Sequence, residues 1–490
     1  MTASQPDLNT TAGKLADLRS RLEEAQAPLG SEVVESTHAA GNQTARERVQ
    51  ELLDEGTFTE TDALARHRVE EYGMDRNKPA TDGVVTGYGQ IGGRRVCVFS
   101  QDPTILDGRL GEVYAEKMLK IYDLATKTGV PLIGIYDSEG PRFQEGVVTA
   151  AMYAKLLRAA TEASGLIPQI AVVAGTTSSI AALQVPLADI AILVEGASVH
   201  LAEPVGDSSL HSQTTGLASL MAPTDKDAIG LARTVAGFLP VNNRADVPIL
   251  EAPDNVDTSA LDTFMPDDDA ATYDVREIIK QVTDGDLLEL KAEFAPNIVT
   301  GFAHISGRAV GIVANQPQSQ EGRLDAAASD KAARFIRMCD AFNLLILKFV
   351  DSPGFITAPE EEEANVVTRA ASLAYAYAEA QVGMITVITR KALGASYVLM
   401  GSKDLGADLA FAWPTAQIAL ADATTAAEQL DTDAEKYAEA NINPYVAAER
   451  GLIDAVIAPS ATRAQVTEGL RLLERKVLHP RPKKHGNIPL

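Results

Sequence analysis

Apolar positions along the chain follow two alternating rhythms, and the whole sequence of rhythms then starts again. Residues 83–90 and 95–99 alternate apolar and polar side chains about Ile91-Gly92-Gly93-Arg94, which predicts a β-hairpin. A polar loop leads into residues 111–127, where Met118, Leu119, Tyr122 and Leu124 mark the buried side of a helix. The apolar run 130–136 predicts a strand ending at Asp137-Ser138. A helix over 146–164 and a strand over 169–174 follow. The same order returns at 298–305, 310–314, 326–342, 344–350, 363–379 and 384–389. Strand and helix in such alternation predict a mainly parallel α/β core. Upstream, residues 10–27 carry Leu15, Leu18 and Leu22 at helical spacing behind the cap Asn9-Thr10-Thr11, and 44–53 is a second helical stretch. Both are expected to pack on the first copy as an N-terminal extension.

The recurrence is literal. Val85-Thr86-Gly87 returns 214 positions later as Val299-Thr300-Gly301, and Ile91-Gly92-Gly93-Arg94 as Ile305-Ser306-Gly307-Arg308. Pro103 returns as Pro317, Gly108-Arg109-Leu110 as Gly322-Arg323-Leu324, and Asp137-Ser138 as Asp351-Ser352. One offset held over so long a stretch identifies two copies of one folding unit. The expected organisation is a first domain over 1–241, an acidic solvated linker over 242–274 containing Asp267-Asp268-Asp269, and a second domain over 275–490.

Composition narrows the partners. Of 490 residues, 46 % are apolar and 22 % charged, enough to fill two cores. A net charge of −24 argues against a nucleic-acid partner, which needs concentrated Lys and Arg. A local basic patch for an anionic small molecule remains compatible with that total, and Arg481-Pro482-Lys483-Lys484-His485 is the one obvious basic run. Cys97 and Cys339 sit on apolar stretches and are expected to be reduced and buried. The seven histidines show no metal-ligand spacing, so no metal is expected. With no leader-like N-terminus and no uncharged run of about 20 residues, a soluble cytoplasmic protein without a membrane partner is expected.

Certain segments carry a family resemblance. They are Thr44-Ala45-Arg46-Glu47-Arg48, Leu53-Asp54-Glu55-Gly56-Thr57-Phe58, Gly111-Glu112-Val113-Tyr114, Lys331-Ala332-Ala333-Arg334-Phe335, Ala412-Trp413-Pro414-Thr415-Ala416-Gln417 and Glu449-Arg450-Gly451-Leu452-Ile453-Asp454. Together they resemble the carboxyltransferase (β) subunit of biotin-dependent acyl-CoA carboxylases of the acetyl/propionyl-CoA type, and the closing His485-Gly486-Asn487-Ile488-Pro489-Leu490 is similar to actinobacterial members. The resemblance implies an α/β fold of two duplicated crotonase-like domains, acyl-CoA in the first and carboxybiotin in the second. It implies dimers assembling to a hexamer, as a homo- or hetero-oligomer, with active sites where one subunit's first domain faces its partner's second. No cofactor is then bound directly, because biotin rides on a partner α subunit.

Moving CO₂ from carboxybiotin to an acyl-CoA places negative charge on the thioester and ureido oxygens, and each needs preorganised donors. The family supplies these from backbone N–H groups in Gly-Gly turns. By that resemblance, Ser179-Ile180 occupies the acyl-CoA-side turn and Gly394-Ala395 the carboxybiotin-side turn, with Gly140, Arg142 and Tyr397 as substrate-binding positions. Ser179 and Ile180 replace both glycines of the first turn, and Ala395 one of the second. Pro141 removes a backbone donor, and Asp107 stands in a loop usually Gly-Gly. The losses imply an impaired subunit serving as structural partner of a catalytic paralogue. Two alternatives are an active carboxyltransferase with an atypical pocket and a crotonase-like hydratase or isomerase, for which Glu139 and Glu145 are the available carboxylates. Ser179 lacks a nucleophile elbow and a locatable His partner. The run Glu360–Glu363 is expected to cap the following helix or face solvent, and Tyr375 and Tyr377 to pack.

Overall fold

The computed structural model describes residues 7–39, 41–206, 208–253, 256–479 and 481–489. It divides into two compact units, Met1–Gly237 with Val241–Asn243 and Phe238–Pro240 with Arg244–Leu490. The strands of the first are Thr59–Thr61 (β1), Val84–Ile91 (β2), Arg94–Gln101 (β3), Leu132–Ser138 (β4), Gln169–Ser178 (β5), Ile190–Val194 (β6), Ser198–His200 (β7) and Leu220–Ala222 (β8). They pair in the order β1-β2-β3-β4-β5-β6-β8, with β7 on β5. The second unit has Leu288–Leu290 (β9), Ile298–Ile305 (β10), Arg308–Asn315 (β11), Leu345–Ser352 (β12), Met384–Leu393 (β13), Leu409–Ala412 (β14), Gln417–Ala419 (β15) and Ala455–Val456 (β16). Its order is the same, β9-β10-β11-β12-β13-β14-β16, with β15 on β13.

In both units the hairpin is antiparallel and everything after it is parallel. Unbroken Val/Ile/Leu runs suit parallel strands covered on both faces. Val98, Ile133, Val172 and Ile192 are buried in the first unit. In the second, Val310, Leu347, Val387 and Trp413 form one core with Ile278, Ile279 and Val466.

The copies match in polar detail that the 214-residue offset did not reveal. Asp54 accepts the Gly92 and Gly93 N–H groups at 3.1 and 2.8 Å, and Arg233 bridges Asp54 and the Leu52 carbonyl. Asp284 holds Ser306 and Gly307 likewise at 3.0 and 2.7 Å, with Arg463 bridging Asp284 and the Val282 carbonyl. Buried Lys117 donates to the carbonyls of Thr81 and Val84, and buried Lys331 to those of Lys291, Phe294, Ala295 and Ile298. Desolvation lowers the two ammonium pKa values to about 8 and about 7. Leu106-Asp107-Gly108 and Gln320-Glu321-Gly322 are all left-handed. A Cβ on Gly108 or Gly322 would lie 2.4 or 2.3 Å from the carbonyl oxygen of Asp137 or Asp351, which explains why both copies keep glycine there.

Several expectations are revised. Strands β5 and β13 do not stop at 174 and 389. Their polar residues continue past a slip against β4 and β12 and pair with β7 and β15. The helix Thr11–Gln26 buries Gly13 and Ala25, while Leu15, Leu18 and Leu22 stay 40–49 % exposed. Of the acidic segment 242–274, Asp267–Asp269 are exposed, but Leu261 and Tyr273 are buried in the second unit's core. Of the glutamates expected to cap the following helix or face solvent, Glu360, Glu362 and Glu363 are exposed, and Glu361 is the exception. Glu361 accepts the Ala326 N–H at 2.8 Å, capping the helix Ala326–Ala341, as Glu145 caps Glu112–Thr128 through the Glu112 N–H.

Candidate functional site: two mirrored strand-to-helix turns

Where β5 and β13 end, each unit turns directly into helix: Ser179–Leu187 in the first and Gly394–Ser396, continuing as a π-turn over Tyr397–Gly401, in the second. The first N–H groups of a helix have no intrahelical acceptor. Ser179 and Ile180, and Gly394 and Ala395, are therefore the donors each turn can present. The leading residue is left-handed in both, with φ +57° at Ser179 and +54° at Gly394. An L side chain in that region costs roughly 1–2 kcal/mol, so the first turn keeps the backbone geometry of the second against the preference of its own residue.

The side chains part the two turns. A Cβ built on Gly140 (φ +88°) would lie 2.9 Å from the Ser179 Cβ and 3.1 Å from the Ser178 carbonyl oxygen, so Gly140 abuts the first turn closely. Gly354, its mirror, has open space, and a Cβ on Gly394 would meet only the Leu420 carbonyl at 3.1 Å. The first turn thus carries the Ser179 side chain against Gly140, whereas the second has no side chain at Gly394 and open space beside Gly354. Ser179 and Ile180 are half-buried, and Ala395 is exposed.

Arg142 is not presented to a ligand. Its guanidinium is buried, 2.9 Å from both Asp82 and Glu145, and also donates to the carbonyls of Asp82 and Arg109. Burial raises the Asp82 pKa and the Arg142 charge opposes the rise. Arg142 therefore sets the path of the 138–142 loop rather than lining the turn. Tyr397 is half-buried at the start of the π-turn, where burial raises its phenol pKa. Ser396 fixes the second turn with its single O–H, which has the carbonyl oxygens of Ser352 and Leu393 within reach at 2.9 and 2.8 Å.

Behind each turn lies an aspartate, half-buried at Asp137 and buried at Asp351, that sequence reasoning passed over as a repeat match. Asp137 pairs with Arg48 at 3.0 Å, and Arg48 also pairs with Asp225 at 2.7 Å. Asp351 pairs with Arg390 from β13 at 3.0 Å and accepts the Lys391 N–H. Desolvation raises both aspartate pKa values and the arginines oppose it. Gly175 stands where Arg390 stands in the second copy. Its Cβ would lie 2.3 Å from Asp137, so the glycine leaves that carboxylate to the arginine arriving from the helix Ala45–Leu52. The invariance of Asp137-Ser138 between copies was the available signal. The switch of arginine was not legible, because the two partners occupy unrelated positions. Among the described residues, no group of His, Cys, Asp and Glu could hold a metal ion, and no helix is long and apolar enough to cross a membrane.

Residues 36–488 match the model of the carboxyl transferase domain. The chain belongs to that family. It is 45 % identical to the biotin-dependent acetyl-/propionyl-coenzyme A carboxylase beta5 subunit of Mycobacterium tuberculosis (strain CDC 1551 / Oshkosh), over 99 % of this chain and 96 % of that one. It is also 45 % identical to the propionyl-CoA carboxylase beta chain of Saccharopolyspora erythraea, over 100 % and 98 %. Transcarboxylase 12S, solved as a hexamer with hydrolysed methylmalonyl-coenzyme A bound, superposes with a TM-score of 0.96 at 39 % identity, covering 98 % of this chain and 99 % of that one. The fold is accordingly the duplicated crotonase-like α/β architecture of carboxyltransferases.

Proposed function

We propose that this chain is the carboxyltransferase-type subunit of a biotin-dependent acyl-CoA carboxylase complex, impaired on its acyl-CoA side and serving chiefly as structural partner of a catalytic paralogue. The observation that carries the reading is the asymmetry of the turns, bare at Gly394 and bearing the Ser179 side chain against Gly140. The thioester enolate would be met by the N–H groups of Ser179 and Ile180, the biotin ureido oxygen by those of Gly394 and Ala395. Losing one such donor costs about 3 kcal/mol of barrier, a hundredfold or more in rate. Biotin would arrive on a separate α subunit, and the complex would form a hexamer built from dimers. Its α-carboxylated products would supply fatty-acid or mycolic-acid-type lipid synthesis.

A second reading, an active subunit with an atypical pocket, is favoured by the backbone. Ser179 keeps the positive φ of Gly394 to within a few degrees, so replacing the glycine has not abolished the left-handed step that begins the turn. Acyl-CoA-dependent carboxylation by this chain with a biotinylated α subunit, measured with and without a paralogue, separates the two. Turnover without the paralogue at ordinary rates would refute the structural role. Co-purification in one complex with no turnover, restored by Ser179→Gly with Ile180→Gly, supports it.

A further inference from the structure

The acidic segment is held tightly where it ends. Strand β13 breaks register with β12 between Val350 and Ser352, so Thr389, Arg390 and Lys391 lie opposite Asp351 alone. At this slip all three side chains reach instead to residues 269–273. Lys391 Nζ donates to the Asp269 carbonyl at 2.9 Å, Arg390 Nη1 donates to the Ala271 carbonyl at 2.7 Å, and the Thr389 and Tyr273 hydroxyls lie 3.0 Å apart. Arg390 also sits 5.2 Å from the centre of the Tyr273 ring while its Nε holds Asp351. Gln417, the register partner of Lys391 on β15, donates to the Asp269 carboxylate at 2.7 Å. Alternate residues of the segment thus bind three consecutive residues of the strand, and Gly394 of the second turn comes three positions later. The segment is itself anchored, because Tyr273 is buried in the core and Asp274 caps the helix Val275–Val282.

The first unit is built differently. Matching the two slips sets Ala174, Gly175 and Thr176 against Thr389, Arg390 and Lys391, and these three side chains offer one hydroxyl between them. A strand that has left its neighbour's ladder no longer has its direction fixed by pairing. In the second unit side chains on residues 269–273 restore that direction.

We propose that residues 269–273 form a strap that fixes the second turn for its ligand, with Lys391 and Tyr273 as positioning residues. This rests on the assignment of that turn to carboxybiotin. The strap acts on the strand behind the turn and touches no reacting atom. Loosening it lets the strand end swing and carries the Gly394 and Ala395 N–H groups with it. Donors that must be fixed before the ligand arrives are then fixed less well.

The test is amide hydrogen exchange on the full chain, with calorimetric binding of biocytin (biotinyl-lysine) beside it. In Lys391→Met and in Tyr273→Phe, exchange over Lys391–Leu393 rises about fivefold, the worth of one neutral hydrogen bond, while Ile385–Ile388 of the same strand keeps its rate. Biocytin binds the wild type, and each variant binds it more weakly by a similar factor. Lys391→Arg, which keeps a cation for the Asp269 carbonyl, recovers most of both. Thr258→Val, which cuts the bond to the Ser460 carbonyl earlier in the same segment, changes neither. Exchange that stays unchanged, or that rises equally over 385–388, overturns the strap. A local rise with undiminished biocytin binding overturns its positioning role. Failure of the wild type to bind biocytin overturns the carboxybiotin assignment, and the exchange contrast still decides the strap.

Discussion

Replacing Lys348 with methionine should stabilise the second unit at acid and neutral pH and do nothing at high pH. Lys348 lies in β12 between Val313 and Thr386, is 2 % exposed, and has no carboxylate partner among the described residues. Its ammonium sits 4.5 Å from the centre of the Tyr377 ring. Desolvation lowers its pKa from 10.5 to about 7. The unfolded chain therefore binds an extra proton between about pH 7 and 10.5, so stability rises with pH across that window by about 1.4 kcal/mol per pH unit. The full gap is worth about 5 kcal/mol, less up to about 2 kcal/mol that the ring returns below pH 7. The assay is built into the chain: Trp413, the single tryptophan, is fully buried in the same core as Leu347 and Phe349, so its fluorescence follows unfolding of this unit. Urea midpoints for wild type and Lys348→Met at pH 6, 7.5 and 9 should differ most at pH 6 and converge as pH rises. A variant less stable than wild type at pH 6, or a difference independent of pH, would refute the reasoning, because the charge would then be compensated.

Further outcomes follow from other buried features. Gly322→Ala drives a Cβ into the Asp351 carbonyl at a left-handed position and should cost on the order of 2 kcal/mol or more, read from the same fluorescence. Arg48→Leu leaves the half-buried Asp137 and the buried Asp225 without their cation and should cost about 3 kcal/mol at pH 8. Since protonation neutralises the abandoned Asp137, whose pKa is already raised, that penalty should shrink toward pH 5, as thermal unfolding across pH would show. Ser179→Gly should stabilise by up to about 1 kcal/mol, whereas Ser179→Val should destabilise, because a β-branched residue fits the left-handed region worst.

Much of the fold was legible. The hairpins, the helices at 111–127 and 326–342 and the parallel strands lie where periodicity placed them, since burial on both faces leaves a strong signal in the side chains. The candidate site was legible as a place and not as a mechanism. The strand ends 175–178 and 390–393 read as loop because their residues are small or polar, and only pairing with β7 and β15 makes them strand. Arg142 was assigned to a ligand through the family resemblance alone, whereas Asp82, sixty positions away, pairs with it.

What the sequence determined by itself is the duplication, the α/β class and the position of the two turns, since each depends on local pattern and on identity between copies. What the tertiary structure decided is how charges were shared and how closely loops approach. The choice of Arg48 or Arg390 for the aspartate behind each turn, the closure of Gly140 on Ser179, and the solitary ammonium of Lys348 all depend on groups far apart in the chain. Electrostatic pairing and steric contact act through space, and no local pattern records the distance between residues that only folding brings together.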